Sequence, residues 1–357
     1  MRIAVIGTRG AAGPARDGID KALSEICPRL VARGHEIDVF SERNGHAFSG
    51  ISGARIIKLP TLPLGLGQAS PHAVLSSVLS ACRGYDVVNF FAAEASGLYS
   101  LAAKFGLHRT VVSVHGLDRP ALPDRSPESL AARFADAITV SSRRLERIFR
   151  ETFGRDAIYI PNGVERPERE ADPRLLEQFS LEPNSYVLFA DRLVPETGAH
   201  VAIAAANAVA VSQRLVIAEV GAGDDEYRHQ LRQGSDPERV LFAGQVGTPL
   251  LEALMGHAYL YLLPSQADEA PETLLASLAH GRAVLVSDVA EHLDVVGGDG
   301  FTFTAGDVGD LKRVLAWLLA DPEVVTRMRV RATATVATRF CWDRIADAYE
   351  QVYKAIL

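Results

Sequence analysis

The stretch "AYLYLLPSQADEAPETLLASLAHGRAVLVSD", residues 258–288, reads as strand, loop, helix, turn and strand in direct succession. Its runs "AYLYLLPS" and "AVLVSD" are apolar at consecutive positions, as strands buried on both faces of a parallel sheet require. Between them, "PETLLASLAHG" predicts a helix that starts with Pro271 and stops at Gly281. That places Glu272 and Thr273 in its first turn, where unpaired backbone N–H groups favour an anion.

The same alternation runs outward in both directions. Before this unit stand "YVLFADRL", "RLVIAEVG" and "RVLFAGQV", and after it "GFTFTAGD". Earlier still come "RIAVIG", "EIDVFS", "RIIKLP", "DVVNFF", "TVVSVHG", "AITVSS" and "AIYIPNGV". The two series are separated by "ERPEREADPR", residues 165–174, which is charged, contains proline and has no apolar periodicity. A chain of 357 residues exceeds the usual size of one hydrophobic core. The expectation is therefore α/β, with two Rossmann-like doubly wound domains over residues 1–165 and 166–339. In the tail, Trp342, Ile345, Tyr349, Val352 and Ile356 fall three and four apart, giving one apolar helix face that must be buried.

Composition narrows the class. Hydrophobic residues at 48% and charged residues at 23% exclude disorder and fibrous repeats. Cys27, Cys82 and Cys341 are far apart with no C-x-x-C pair, which argues against a disulfide framework or zinc site and fits a reducing cytoplasm. "MRIAVIGTRG" is too quickly broken by glycine and arginine for a signal peptide, and no apolar run is long enough to span a bilayer. Residues 1–165 hold 20 Lys and Arg against 16 Asp and Glu, whereas the remainder holds 17 against 28. A basic N-terminal half suits an anionic acceptor or a membrane surface, and equally an uneven spread of solvated faces.

Five stretches could carry chemistry. In "GTRGAAGPARDG", residues 7–18, glycines ahead of a helix let backbone approach a phosphate or simply form a tight turn. Gly7, Gly10 and Gly13 do not match the G-x-G-x-x-G spacing of dinucleotide sites, although Glu42 ends the second strand where a ribose-binding acid could sit. "FADRLVPETG", residues 189–198, places Arg192 at a strand's C-terminal edge, to hold a diphosphate or to pair with Asp191 or Glu196. The third is the helix start at Glu272 and Thr273. "SVHGLD" puts His115 and Asp118 just past a strand, as site residues or as hydrogen-bonded structure. "SSRRLERIFRETF" aligns Arg143, Arg147 and Arg150 on a helix face, either solvated or facing lipid phosphate.

Taken together, these ordered motifs resemble the GT-B glycosyltransferases of family 4, in particular bacterial rhamnosyltransferase-like members. The likeness runs over nearly the whole chain, from "MRIAVIGTRG" through "VVSVHGLD", "PNGV", "RLVPETG" and "AHGRAVLVSD" to "FCWDRIADAYEQVY". It implies two Rossmann-like domains facing a cleft, an acceptor domain at the N-terminus and a nucleotide-sugar donor domain at the C-terminus. The last helix, residues 340–357, would pack back on the first domain. It also implies transfer with retention and without metal or cofactor. Partners would be a nucleotide sugar and a glycan or lipid-linked acceptor, with no nucleic acid. The setting would be cytoplasmic, with possible peripheral contact at the inner face of the membrane.

Carried over by position, Arg192 is the donor-diphosphate arginine, Gly18 lies beside the phosphates, and Thr273 and Leu274 offer them backbone amides. His115 and Asp268 hold sugar hydroxyls as the catalytic pair. The departures are specific. Where the family has two glutamates seven residues apart, this chain has Asp268 and Ala276, and where it has lysine after "RLVPE", this chain has Thr197. The paired glycines and glutamate near the first helix appear as Asp17, Gly18 and Asp20, and the insertion after "HGLD" is short. Losing a ribose-binding carboxylate and a charge-assisted contact weakens a donor site, so the alternative is a catalytically impaired relative that binds an active transferase.

Overall fold

The structure is a computed structural model that describes residues 1–8, 17–42, 51–59, 75–76, 79–80, 82–91, 108–115, 127–209, 213–266 and 272–357. The chain divides into two compact units, residues 1–163 with 342–357, and residues 164–341.

Unit 1 is built on a parallel sheet of β1 (Arg2–Thr8), β2 (Glu36–Glu42), β3 (Arg55–Leu59), β4 (Val87–Phe91), β5 (Arg109–Val114), β6 (Ala137–Val140) and β7 (Ile158–Tyr159). Its strand order is β3-β2-β1-β4-β5-β6-β7. Successive strand residues feed opposite faces, so Ile3 and Val5 enter one core and Ala4 and Ile6 another. The first core is closed by α1 (Asp17–Ala32) and α11 (Trp342–Ile356), through Leu23, Ile26, Trp342 and Tyr349. The second is closed by α2 (Pro127–Phe134) and α3 (Arg143–Phe153), through Ala131, Leu145 and Phe149. Coverage on both faces is why "VVNFF" of β4 is buried at every position.

α11 is fixed to unit 1 by polar contacts as well. The Asn89 side-chain N–H donates to Tyr353 Oη at 2.7 Å, while Asn89 Oδ1 accepts from Ser113 at 3.0 Å and Ser113 accepts from Thr139 at 2.8 Å. This buried chain of donors and acceptors links α11 to three adjacent strands. At its rim, Arg29 pairs with Asp343 at 3.0 Å and Arg33 with Asp347 at 2.7 Å.

Unit 2 repeats the plan with β8 (Tyr186–Asp191), β9 (Arg214–Glu219), β10 (Val240–Gln245), β11 (Leu260–Leu263), β12 (Val284–Ser287) and β13 (Phe301–Phe303), in the order β10-β9-β8-β11-β12-β13. One face packs on α4 (Ala199–Ala208) and α9 (Val308–Ala320), the other on α6 (Thr248–His257) and α7 (Glu272–Ala279), while α10 (Pro322–Thr335) gives Val325 to the first core and Ala332 to the second. α5 (Asp225–Gln233) and α8 (Ala290–Val296) complete the unit. In each sheet the winding reverses once, between β1 and β4 and between β8 and β11. The C-terminal edge at such a reversal is where open parallel sheets take ligands.

Candidate active site

At the reversal of unit 2, β8 ends in Asp191 and the backbone N–H of Arg192 donates to that carboxylate at 2.7 Å. Burial pushes the Asp191 carboxyl up, against the effect of this hydrogen bond. The Arg192 side chain is exposed, and its guanidinium has no hydrogen bond or ion pair among the described residues, neither to Asp191 nor to Glu196. A charged fork with five donors therefore spends none of them on a described residue.

The loop behind it is tightly held. Thr197 is 4% exposed, and its hydroxyl donates toward the carbonyl oxygens of Arg192 at 2.9 Å and Val194 at 2.8 Å. Gly198 follows with φ 73°, where a Cβ would collide with the Pro264 carbonyl. The Gln266 N–H and the Ser265 hydroxyl both donate to the Glu196 carbonyl, at 3.0 and 3.3 Å. The loops leaving β8 and β11 are thus laced together where the sheet reverses.

α7 then starts at Glu272, which is exposed in its first turn. Thr273 is half-buried and its Oγ1 accepts from the Tyr261 hydroxyl at 2.8 Å, while Leu274 is fully buried. Ala276 is half-buried and packs against the core on this face of the sheet. Arg192 and the start of α7 thus follow neighbouring strands at one sheet edge, and both groups are suited to anionic oxygens. The edge turns Thr197 and Ala276 toward packing. Asp268 lies outside the described residues.

The other two predicted positions lie in unit 1. Gly18 is in the first turn of α1, the helix that follows β1. His115 follows β5, with its ring stacked on Phe91 at 5.6 Å between centroids and its carbonyl accepting from Ser141 at 3.1 Å. Burial drives its pKa down to about 4, opposed by a side-chain hydrogen bond with Asn162, so the imidazole is neutral at pH 7. Its Nε2 is buried with no hydrogen-bond partner among the described residues.

A third loop of unit 2 was not singled out from sequence. In "EVGAGDD", residues 219–225, Glu219 is 6% exposed and pairs with Arg228 at 2.9 Å. The Val220 N–H donates to the Asp191 carbonyl at 3.1 Å and the Asp224 N–H to the Leu193 carbonyl at 2.9 Å. Gly221, at φ 79°, lies beside the aliphatic stem of Arg192. Two glycines directly after a strand were the available signal. Among the described residues no group of three or more His, Cys, Asp or Glu could hold a metal ion.

Comparison with known proteins matches this geometry to a family. The family model for glycosyltransferase family 4 matches residues 16–166, and that for glycosyl transferases group 1 matches residues 184–321. The chain belongs to glycosyltransferase family 4. Among similar proteins, a phosphatidyl-myo-inositol mannosyltransferase of Mycolicibacterium smegmatis is 26% identical, over 95% of this chain and 90% of its own. A glycogen synthase of Mycobacterium tuberculosis is 25% identical, over 98% of this chain and 84% of its own. In fold, the transferase is similar to Anabaena Alr3699/HepE, solved in complex with UDP, with a TM-score of 0.80 and 19% identity over 99% of this chain and 100% of that one.

Proposed function

We propose that this family-4 glycosyltransferase moves a sugar from a nucleoside diphosphate to a polysaccharide or glycoconjugate acceptor, with retention and without metal. The observation that carries the reading is the guanidinium of Arg192, which bonds no described residue, on the sheet edge from which the chain also runs on to α7. As the bond from the anomeric carbon to the diphosphate oxygen breaks, negative charge grows on the leaving group, and fixed cations and amides stabilise it there. The acceptor hydroxyl forms the new glycosidic bond, and its proton leaves with the diphosphate. Neutral His115, with Nε2 buried and unpartnered among the described residues, is suited to a sugar hydroxyl. The name of the mannosyltransferase relative favours a lipid-linked acceptor, and that of the glycogen synthase a glucan.

A second reading, an impaired relative that partners an active transferase, is favoured by Thr197 and Ala276, whose side chains are engaged in packing. Calorimetry with uridine, guanosine and adenosine diphosphates and their sugar conjugates separates the two. Arg192→Ala should weaken diphosphate binding by about 1.5–3 kcal/mol. Transfer should survive a chelator, with the product anomer matching the donor. Unchanged affinity in the variant removes Arg192 from the site. Failure of every nucleotide to bind favours the second reading.

A further inference from the structure

Unit 2 contains a cavity of about 650 Å³ at the opposite edge of its sheet, lined by residues that precede strands rather than follow them. Asn184 precedes β8, His257 precedes β11 and Arg282 precedes β12, with Arg329 reaching in from α10. Besides Arg174, which pairs with Asp172, two further guanidiniums therefore line one cavity in a stretch, residues 166–357, where acids outnumber Lys and Arg by 28 to 17.

Their donors are only partly used. Arg282 gives Nε to the His280 carbonyl at 3.1 Å, and Nη1 to Asn184 Oδ1 at 3.4 Å and the Ala258 carbonyl at 3.3 Å. Arg329 gives Nη2 to the carbonyls of Tyr259 at 2.6 Å and Ala258 at 3.4 Å. Among the described residues Arg282 Nη2 and Arg329 Nη1 have no hydrogen bond, and Arg329 Nε is buried without a partner. Neither guanidinium forms an ion pair with a carboxylate among the described residues. Of the two acids on the wall, Asp172 is taken by Arg174 at 2.8 Å, while Glu170 is exposed and acts on Arg282 only through its field.

Capping the end of α6 and the start of β11 accounts for the carbonyl contacts, but one cation suffices for that. A second, placed so that the two repel, costs stability unless something anionic occupies the space between. Burial lowers both pKa values, and with the charge of Arg282 it brings that of Arg329 to about 10. The volume exceeds that of an inorganic anion and lies within the range of small-molecule sites, and paired guanidiniums match phosphate oxygens. The geometry points to a second ligand site in unit 2, for a phosphate group carried by a small molecule or a lipid head, on the sheet edge opposite Arg192.

The test uses the full chain with inorganic phosphate, pyrophosphate and glucose 6-phosphate, none of which carries a nucleoside. Binding is read by calorimetry and placed by hydrogen-exchange protection of the amides at 256–259 and 282–284. The decisive variant is Asn184→Asp, which sets a carboxylate against Arg282 where an amide oxygen already accepts from it. Asn184 has φ 63°, a conformation that aspartate also tolerates, so the variant folds and supplies its own counter-ion. It should bind phosphate at least about tenfold more weakly, as should Arg282→Gln and Arg329→Gln, whereas Arg192→Ala leaves protection at these amides unchanged. Flotation with phosphatidylcholine vesicles containing a phosphoinositide assigns the source. Vesicle binding that Asn184→Asp abolishes points to a lipid head, and binding of the free phosphates alone to a soluble ligand. The proposal falls if none of the phosphates binds or protects these amides up to about 10 mM, or if Asn184→Asp binds as well as the natural chain.

Discussion

Thr197 spends its hydroxyl on two backbone carbonyls and leaves 4% of its surface to solvent. Replacing it with valine should cost about 1 kcal/mol, because the Arg192 carbonyl loses its hydroxyl donor while Val194 keeps the Thr197 N–H. Lysine should cost more, since its ammonium enters a packed loop, and urea denaturation of both variants measures the difference. Added cation at this position is therefore expected to disturb the Arg192 loop rather than strengthen it. The sequence "RLVPETG" located Arg192, but the loop is also held at Glu196 and Gly198 by Gln266 and Pro264, far later in the chain. His115 yields a pH prediction. Its folded pKa, about 4, lies below the usual 6.5, so as pH falls below 6.5 the unfolded chain binds a proton that the folded site refuses. Stability is thus present above pH 6.5 and is lost progressively down to about 4. The stability gap between the natural chain and His115→Gln should shift by about 2–3 kcal/mol against the natural chain between about pH 7 and pH 4.5. A constant gap would mean that the imidazole is solvated.

At the scale of elements, α11 separates packing from charge. Trp342 is 3% exposed within the core that it shares with α1, and Trp342→Ala should cost about 3–5 kcal/mol. Tyr353→Phe leaves the buried Asn89 N–H without its acceptor and should cost about 1–3 kcal/mol. Asp347→Ala breaks a pair between an exposed carboxylate and half-buried Arg33, which keeps Glu350, and should stay within about 1 kcal/mol. Equilibrium unfolding of the three variants tests the ranking, and an Asp347 effect as large as that of Trp342 would reverse the assignment. The apolar face of this helix was legible from its spacing, because helical periodicity needs no tertiary information. The surface that receives it was not, since α1 is remote in sequence. Two other elements carry local detail that their sequences did not show. "AIYIPNGV" gives only the two-residue β7, because Pro161 has no N–H for a sheet ladder. The arginine face of α3 is partly neutralised by Glu146, which pairs with Arg143 at 2.7 Å and with Arg150 at 3.4 Å.

At the scale of the molecule, the α/β class was legible because strands buried on both faces are apolar at every position, and these runs recur along the chain. Strand order was not, since it depends on which way each crossover turns, and consecutive apolar strands carry no mark of their neighbour. The same order arises in both units, yet their means of closure differ. Unit 2 completes its cores within one continuous segment, whereas unit 1 depends on α11, returned to it from the far end of the chain. Ending the chain after Cys341 should therefore remove Trp342, Ile345, Tyr349 and Val352 from the core of unit 1 and strand Asn89 without its acceptor. The combined loss exceeds the 5–15 kcal/mol by which a domain is usually stable, so unit 1 should unfold. Unit 2 loses none of its core residues, and hydrogen exchange should show β8, β9 and β11 protected while β1, β4 and β5 exchange freely. Because Arg192 and the start of α7 both belong to unit 2, nucleoside-diphosphate affinity should change by less than about threefold even as transfer stops. If both sheets lose protection together, the two units fold as one, and donor binding cannot be assigned to unit 2 by itself.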